Sequence, residues 1–132
     1  MPPLVDVDSD GNRDVVSFCS NPKEIDVWLN QGDGSLLPPV VYELPGWPWS
    51  ATMGDINGDG SADFAIANYD ATTGVTIWLN DGHGALSPGG AFPVGLYPQS
   101  VAIADLNGDG KQDLAVANHD GESVSVLLSS LP

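Results

Sequence analysis

Asp105-Leu-Asn-Gly-Asp-Gly-Lys-Gln-Asp113, running straight into Leu114-Ala-Val-Ala-Asn118, is the stretch that decides the fold. It sets acids at positions one, five and nine of a Gly-containing loop, then alternates apolar residues as a β-strand requires. The arrangement also occurs upstream, as Asp55-Ile-Asn-Gly-Asp-Gly-Ser-Ala-Asp63 and as Asp6-Val-Asp-Ser-Asp-Gly-Asn-Arg-Asp14. The copies start about 50 residues apart, and two further blocks repeat in step with them. Val27-Trp-Leu-Asn30 with Gly32-Asp-Gly34 matches Ile77-Trp-Leu-Asn80 with Gly82-His-Gly84, and shortens to Val126-Leu-Leu128 in the third copy. Trp47-Pro-Trp-Ser50 matches Tyr97-Pro-Gln-Ser100. Aligned blocks at one period of this length mean solenoids, propellers or arrays.

The strands within one unit can be read outward from the loop. Ser100–Asp105 enters it and Asp113–Asn118 leaves it. Val75–Leu79 and Val124–Leu128, rich in β-branched and aromatic residues, form a third strand. The weaker Val40–Leu44 and Ala91–Val94 form a fourth, where Pro93 suits an outer edge. Gly-Asp-Gly and Gly-His-Gly supply the turns between third and fourth strands. No window of a dozen residues keeps a helical apolar period free of Gly and Pro. The expected fold is therefore all-β, with four-stranded antiparallel blades of the β-propeller type.

The chain divides into blade 1 over about residues 1–48, blade 2 over about 49–98 and a partial blade 3 over about 99–132. About two and three-quarter blades cannot close a ring, since propellers carry roughly 4–8. The exposed blade faces are therefore expected to be covered by copies of the chain, by more of a longer chain, or by open stacking. A two-fold pair giving six near-blades is the simplest closed assembly, so a homodimer is favoured.

Composition narrows the partners. The chain has 132 residues, with 18 acids against 3 bases and a formal charge of −15. That balance argues against nucleic acid or an anionic membrane surface, because both demand basic patches. Ten of the 18 acids fall in the three loops, each flanked by apolar β-type segments, which argues against a disordered acidic tail. No apolar run approaches a membrane span, and no N-terminal signal is present. Met1-Pro2-Pro3 reads as an engineered start or a mature end. One cysteine, Cys19, excludes an internal disulfide framework and reads as a small half-buried strand residue.

Clustered carboxylates repel one another unless a cation sits among them. Ca²⁺ takes six to eight hard oxygen ligands, and short carboxylates at alternate positions of a tight loop turn inward on one point. The first site is expected to use Asp6, Asp8, Asp10 and Asp14 through side chains and Asn12 through its carbonyl. The second would use Asp55, Asn57, Asp59, Asp63 and the Ser61 carbonyl; the third Asp105, Asn107, Asp109, Asp113 and the Lys111 carbonyl. About three Ca²⁺ per chain follow, with affinities of ~10⁻⁴–10⁻³ M as in extracellular modules. An EF-hand is excluded, because the bidentate Glu it needs at position twelve is Ser17, Ile66 and Val116 here. Zinc does not suit loops without a thiolate or imidazole cluster, and Mg²⁺ holds its waters too firmly for a carboxylate cage.

The strand, the Asp-x-Asn-Gly-Asp-Gly-x-x-Asp-Leu-Ala-Val-Ala-Asn run and the Gly-Asp-Gly turn resemble the FG-GAP or VCBS-type repeat. That repeat builds the propeller of integrin α subunits and of many secreted bacterial and fungal proteins. The resemblance covers nearly the whole chain and implies a six- or seven-bladed ring with calcium loops between first and second strands. It also implies adhesion or ligand binding outside the cell or at its surface, and some fungal members are lectins. Two departures stand out. The third unit lacks its Gly-x-Gly turn and fourth strand, and Leu36 and Leu86 replace the usual aromatic after the turn.

Two functional classes follow. One is a calcium-stabilised structural or adhesion module that binds protein or itself. The other is a lectin, with Trp47, Trp49 and Tyr97 in the loops before the inner strands offering ring faces to a glycan. The competing expectation is that these rings, and more strongly Trp28 and Trp78 in the strands, pack between blades. An enzyme is the distant third, because His83 and His119 occupy variable loop positions.

Overall fold

The computed structural model describes residues 4–129. The readings placed on Met1-Pro2-Pro3 and on the chain end at Pro132 lie outside the described residues. Eleven strands form three separate antiparallel meanders of four, four and three strands. The first sheet is β1 (Leu4–Val5), β2 (Asp14–Ser20), β3 (Lys23–Trp28) and β4 (Val40–Glu43). The second is β5 (Pro48–Gly54), β6 (Asp63–Asn68), β7 (Val75–Asn80) and β8 (Leu86–Phe92). The third is β9 (Pro98–Ala104), β10 (Asp113–Asn118) and β11 (Ser123–Leu127). Within each sheet the spatial order follows the chain order, as expected of propeller blades. Among the described residues no helix is long and apolar enough to cross a membrane.

Alternation along the strands sends side chains to two faces, and both faces of the middle sheet are covered. Val16, Ile25, Val27 and Leu44 of the first sheet pack on Phe64, Ile66 and Trp78 of the second. Phe18 meets Phe64 edge-on, with ring centroids 5.8 Å apart. On its other side the second sheet offers Ala65, Ala67, Val75 and Ile77 to Val101, Leu114 and Val116 of the third. The small alanines of β6 let the neighbouring sheet approach closely. These two interfaces constitute the core. The strand residues Trp28 and Trp78 differ: Trp78 is buried between blades, whereas Trp28 lies half-buried on the first sheet's other face.

One strand differs from the sequence reading. The fourth strand of the second unit was expected at Ala91–Val94, but β8 spans Leu86–Phe92 and Pro93 lies beyond it. Pro88, Gly89 and Gly90 all sit inside the strand, residue types usually read as breakers. They are accommodated because β8 is an edge strand with a register shift opposite Ile77 and Trp78. A Cβ on Gly89 would lie only 2.9 Å from the Ile77 side chain, so the absence of a side chain permits the close pairing.

Candidate metal centre

Each Asp loop joins the first strand of a sheet to the second, and all three adopt one hydrogen-bond pattern. The position-one carboxylate accepts from the backbone as it curls over: Asp55 takes N–H bonds from Gly58, Asp59 and Gly60 at 2.8–3.0 Å. Asp105 repeats this with Gly108, Asp109 and Gly110, and Asp6 accepts from Asp10 and Gly11. The position-five carboxylate accepts the N–H of position seven: Asp10 from Asn12, Asp59 from Ser61 and Asp109 from Lys111. Positions four and six require positive φ, supplied by glycine in the second and third loops. In the first loop Ser9 takes that conformation at φ 64°, with its hydroxyl donating to the Gly82 carbonyl.

The curl gathers oxygens. In the second loop Asp55, Asp59 and Asp63 place carboxylate oxygens within 4.8 Å of one another, and in the third Asp105, Asp109 and Asp113 do the same. In the first loop the trio is Asp6, Asp8 and Asp10, and Asp14 stands outside it. The position-three residues lie in the same turns: Asn57 and Asn107 each donate to the position-five carboxylate. Asn12, Ser61 and Lys111 follow at position seven, where a backbone carbonyl rather than a side chain was expected to act. An ionised carboxylate has about four acceptor sites, so these N–H bonds leave lone pairs for a cation. The donor set is hard oxygen throughout, which suits Ca²⁺ chemistry.

The position-nine acids do something the sequence reading missed. Asp14, Asp63 and Asp113 are fully buried, and each bridges two backbone donors. One oxygen accepts from position two of the loop: Val7, Ile56 or Leu106, each at 2.9 Å. The other accepts from a residue at or shortly past the end of the third strand: Asn30, Asn80 or Ser129, at 2.8–2.9 Å. The carboxylate therefore ties the loop to the end of the third strand through protein hydrogen bonds alone. The signal was present in sequence as an invariant Asp at position nine and the recurrent Trp-Leu-Asn, but nothing in the spacing showed that they meet.

The local environment moves individual carboxyls in opposite directions. Burial pushes Asp63 up, against the N–H donors from Asn80 and Ile56 that pull it down. The N–H bonds from Ser129 and Leu106 hold Asp113 below the ordinary carboxylate range. Burial also raises Asp8, with the charges of Asp14, Asp10 and Asp6 adding to it, whereas the Asn12 backbone N–H lowers Asp10.

The aromatic residues form a separate cluster. Trp49 was expected in a loop but lies in β5, beside the register shift between Pro48 and Ser50. Its ring centroid is 5.1 Å from that of Tyr69, which is 4.9 Å from that of Tyr97. Trp47 is 50% and Trp49 62% exposed, so neither is buried between blades. With Ser20, Asp70 and Ala71 these rings line an open cleft of about 430 Å³. Tyr69 was not singled out from sequence; it enters because its N–H pairs with the Trp47 carbonyl at 2.8 Å.

Tandem four-stranded blades with an Asp cage between first and second strands define a class of repeat protein. The chain belongs to the FG-GAP-like repeat family, whose sequence model matches residues 6–66 and again residues 56–116. Comparison with curated proteins finds no match to the chain.

The clamp role separates from metal binding in a chelator. Asp63→Ala removes the acceptor of the Ile56, Asn57 and Asn80 backbone N–H groups and should cost about 2–5 kcal/mol in urea unfolding with EDTA present. Asp59→Ala, on the exposed side of the same loop, should cost less than about 1 kcal/mol there. Equal small losses for both would show that the ninth-position acid is a ligand and nothing more.

Proposed function

We propose that the chain is a non-catalytic, calcium-stabilised blade module with a structural or adhesion role outside the cell or at its surface. The observation that carries this reading is a cluster of three carboxylates in the equivalent loop of all three units, drawn from positions one, five and nine in two of them and one, three and five in the first. Asp6, Asp8 and Asp10 would hold one ion, Asp55, Asp59 and Asp63 a second, and Asp105, Asp109 and Asp113 a third. Asn57, Asn107 and the carbonyls of Asn12, Ser61 and Lys111 complete the donor sets, with Asp14 adding its charge to the first. Bound divalent charge supplies electrostatic relief, lowering the formal charge from −15 to about −9. Weak sites of this kind load where calcium is plentiful, which favours an extracellular setting. The histidines give no support to an enzyme: His83 is an exposed turn residue, and His119 contacts Asp120 at an exposed site.

Adding 10 mM Ca²⁺ to chelator-treated chain should stabilise it by about 2.7 kcal/mol for each site with a Kd near 10⁻⁴ M. Asp59→Ala should remove one site's share of the melting shift. A melting curve indifferent to Ca²⁺, or equally responsive to Mg²⁺, would end the calcium reading.

Self-association is part of the same proposal. In the first two sheets the residues equivalent to Val124 and Val126, namely Ile25, Val27, Val75 and Ile77, are buried beneath the following sheet. In the third sheet Val124, Val126 and Leu128 are 67%, 53% and 57% exposed. Repeat symmetry makes a blade of a second copy the cover with the matching shape. Sedimentation should give twice the chain mass, and Val126→Asp should return it to one. A fully folded wild-type monomer at micromolar concentration would contradict the pairing.

The aromatic row favours a second reading, a carbohydrate-binding site. Trp49, Tyr69 and Tyr97 present adjoining ring surfaces beside the Asp70 carboxylate, an arrangement that stacks on sugar rings. A glycan array should then show binding that Trp49→Ala abolishes at unchanged melting temperature. No binding to any glycan, with or without Ca²⁺, would eliminate it.

A further inference from the structure

The three units act as internal controls for one another, and at one place the first unit departs from the other two. In the second unit the last residue of β6, Asn68, turns its amide across the sheet. Its Nδ2 donates to Gly74 O at 3.0 Å and Thr76 Oγ1 at 3.2 Å. In the third unit Asn118 Nδ2 donates to Ser123 Oγ and Ser125 Oγ at 3.2 and 2.9 Å. The equivalent positions in the first unit hold Cys19, Glu24 and Asp26. A good amide donor is thus replaced by a weak S–H, and the neutral acceptors by two carboxylates.

Register explains how these three meet. Cys19 pairs directly with Glu24 across β2 and β3, and Asp26 follows two residues on, on the same face, opposite Ser17. One ligand atom from each lies within 4.8 Å of the others. Asp26 is only 8% exposed, yet its partners are a hydroxyl and a thiol: Ser17 Oγ at 3.2 Å and Cys19 Sγ at 3.6 Å, both to Oδ2. Its Oδ1 is buried and has no hydrogen-bond partner among the described residues, as is also true of Asn68 Oδ1 and Asn118 Oδ1, but in the first unit the side chain so placed is an acid rather than a neutral amide. Burying a carboxylate is costly unless it is paired. The one base on this hairpin, Lys23, is directed elsewhere, with Nζ 3.5 Å from Pro45 O and 5.4 Å from the Trp47 ring centroid. The missing component is a cation.

We propose that Cys19, Glu24 and Asp26 form a second kind of metal site, for a thiophilic divalent cation of the zinc type. Sulfur with two carboxylate oxygens gives three protein ligands and leaves a fourth position for water. The mixed donor set separates it from the all-oxygen loops, which suit calcium. On binding, the Cys19 thiol gives up its proton to solvent and the thiolate bonds the metal. Before binding, burial and the adjacent Asp26 and Glu24 push that thiol up, so loading strengthens as pH rises. The sequence reading found no thiolate cluster because cross-strand pairing, rather than sequence spacing, assembles this one.

Cobalt(II) tests it, because a thiolate ligand gives a near-ultraviolet charge-transfer band that oxygen ligands do not. Chelator-stripped chain in 10 mM Ca²⁺, which fills most of the loops, should develop the band to one equivalent of Co²⁺ and lose it to added Zn²⁺. Cys19→Ser should abolish the band. Asp26→Asn and Glu24→Gln, both near-isosteric, should keep the fold by circular dichroism and weaken Co²⁺ binding by about tenfold or more. No sulfur band in the unaltered chain would overturn the proposal. A band indifferent to both carboxylate variants would overturn it equally, because the cysteine alone would then be holding an adventitious ion.

Discussion

A fully buried carboxylate that accepts two backbone N–H bonds holds each blade together. Asp14, Asp63 and Asp113 occupy the point where a loop, the start of a second strand and the exit of a third converge. The antiparallel meander makes that convergence unavoidable, since the third strand ends beside the start of the second. Backbone donors there need acceptors once water is excluded. One aspartate satisfies two of them from two different segments. A neutral isostere supplies at most one good acceptor, which is why the acid recurs even where its loop trio, as in the first unit, does not draw on it.

From that anchor the polar connections reach between blades. Asn80, whose N–H is held by Asp63, donates its own side-chain amide to the Val7 carbonyl in the first unit's loop at 2.9 Å. Its Oδ1 accepts from Gly82 and Gly84, shaping the turn into β8. The Gly82 carbonyl in turn receives the Ser9 hydroxyl. The metal loop of one blade and the outer turn of the next are therefore one connected polar layer, above an apolar layer of Val, Ile, Phe and Trp.

The loops and strands that flank them could be read from sequence because they are local: ligand spacing, glycine at positive φ and apolar alternation lie within a dozen residues. Asp113–Asn118 and Val75–Leu79 were recognisable for that reason. What escaped was set by register and tertiary pairing. β8 begins at Leu86 although it carries Pro88, Gly89 and Gly90, because the β7 edge imposes strand geometry on residues that would not choose it. Tyr69 joins the aromatic row through a backbone contact with Trp47, remote in sequence. Cys19 and Asp26 look unrelated until β2 and β3 pair.

The two free faces of the stack differ in kind, and the difference bears on how it can be closed. The third sheet offers an apolar face of Val124, Val126 and Leu128, and the first sheet's outward face carries Cys19, Glu24 and Asp26. Between the described blades the corresponding ground is uncharged, with the Asn68 and Asn118 amide N–H groups hydrogen-bonded across the sheet and their Oδ1 atoms buried without a partner. Setting an apolar face there would instead strip water from the partly exposed Glu24 carboxylate, beside an Asp26 that is already buried, and that desolvation opposes the packing. A divalent ion shared by the thiolate and both acids would lower the formal charge of that ground from −2 to about −1, since the thiol gives up its proton on binding. With the Cys19 site occupied as proposed, ion binding and the covering of that face would each favour the other, because both act on the same buried charge.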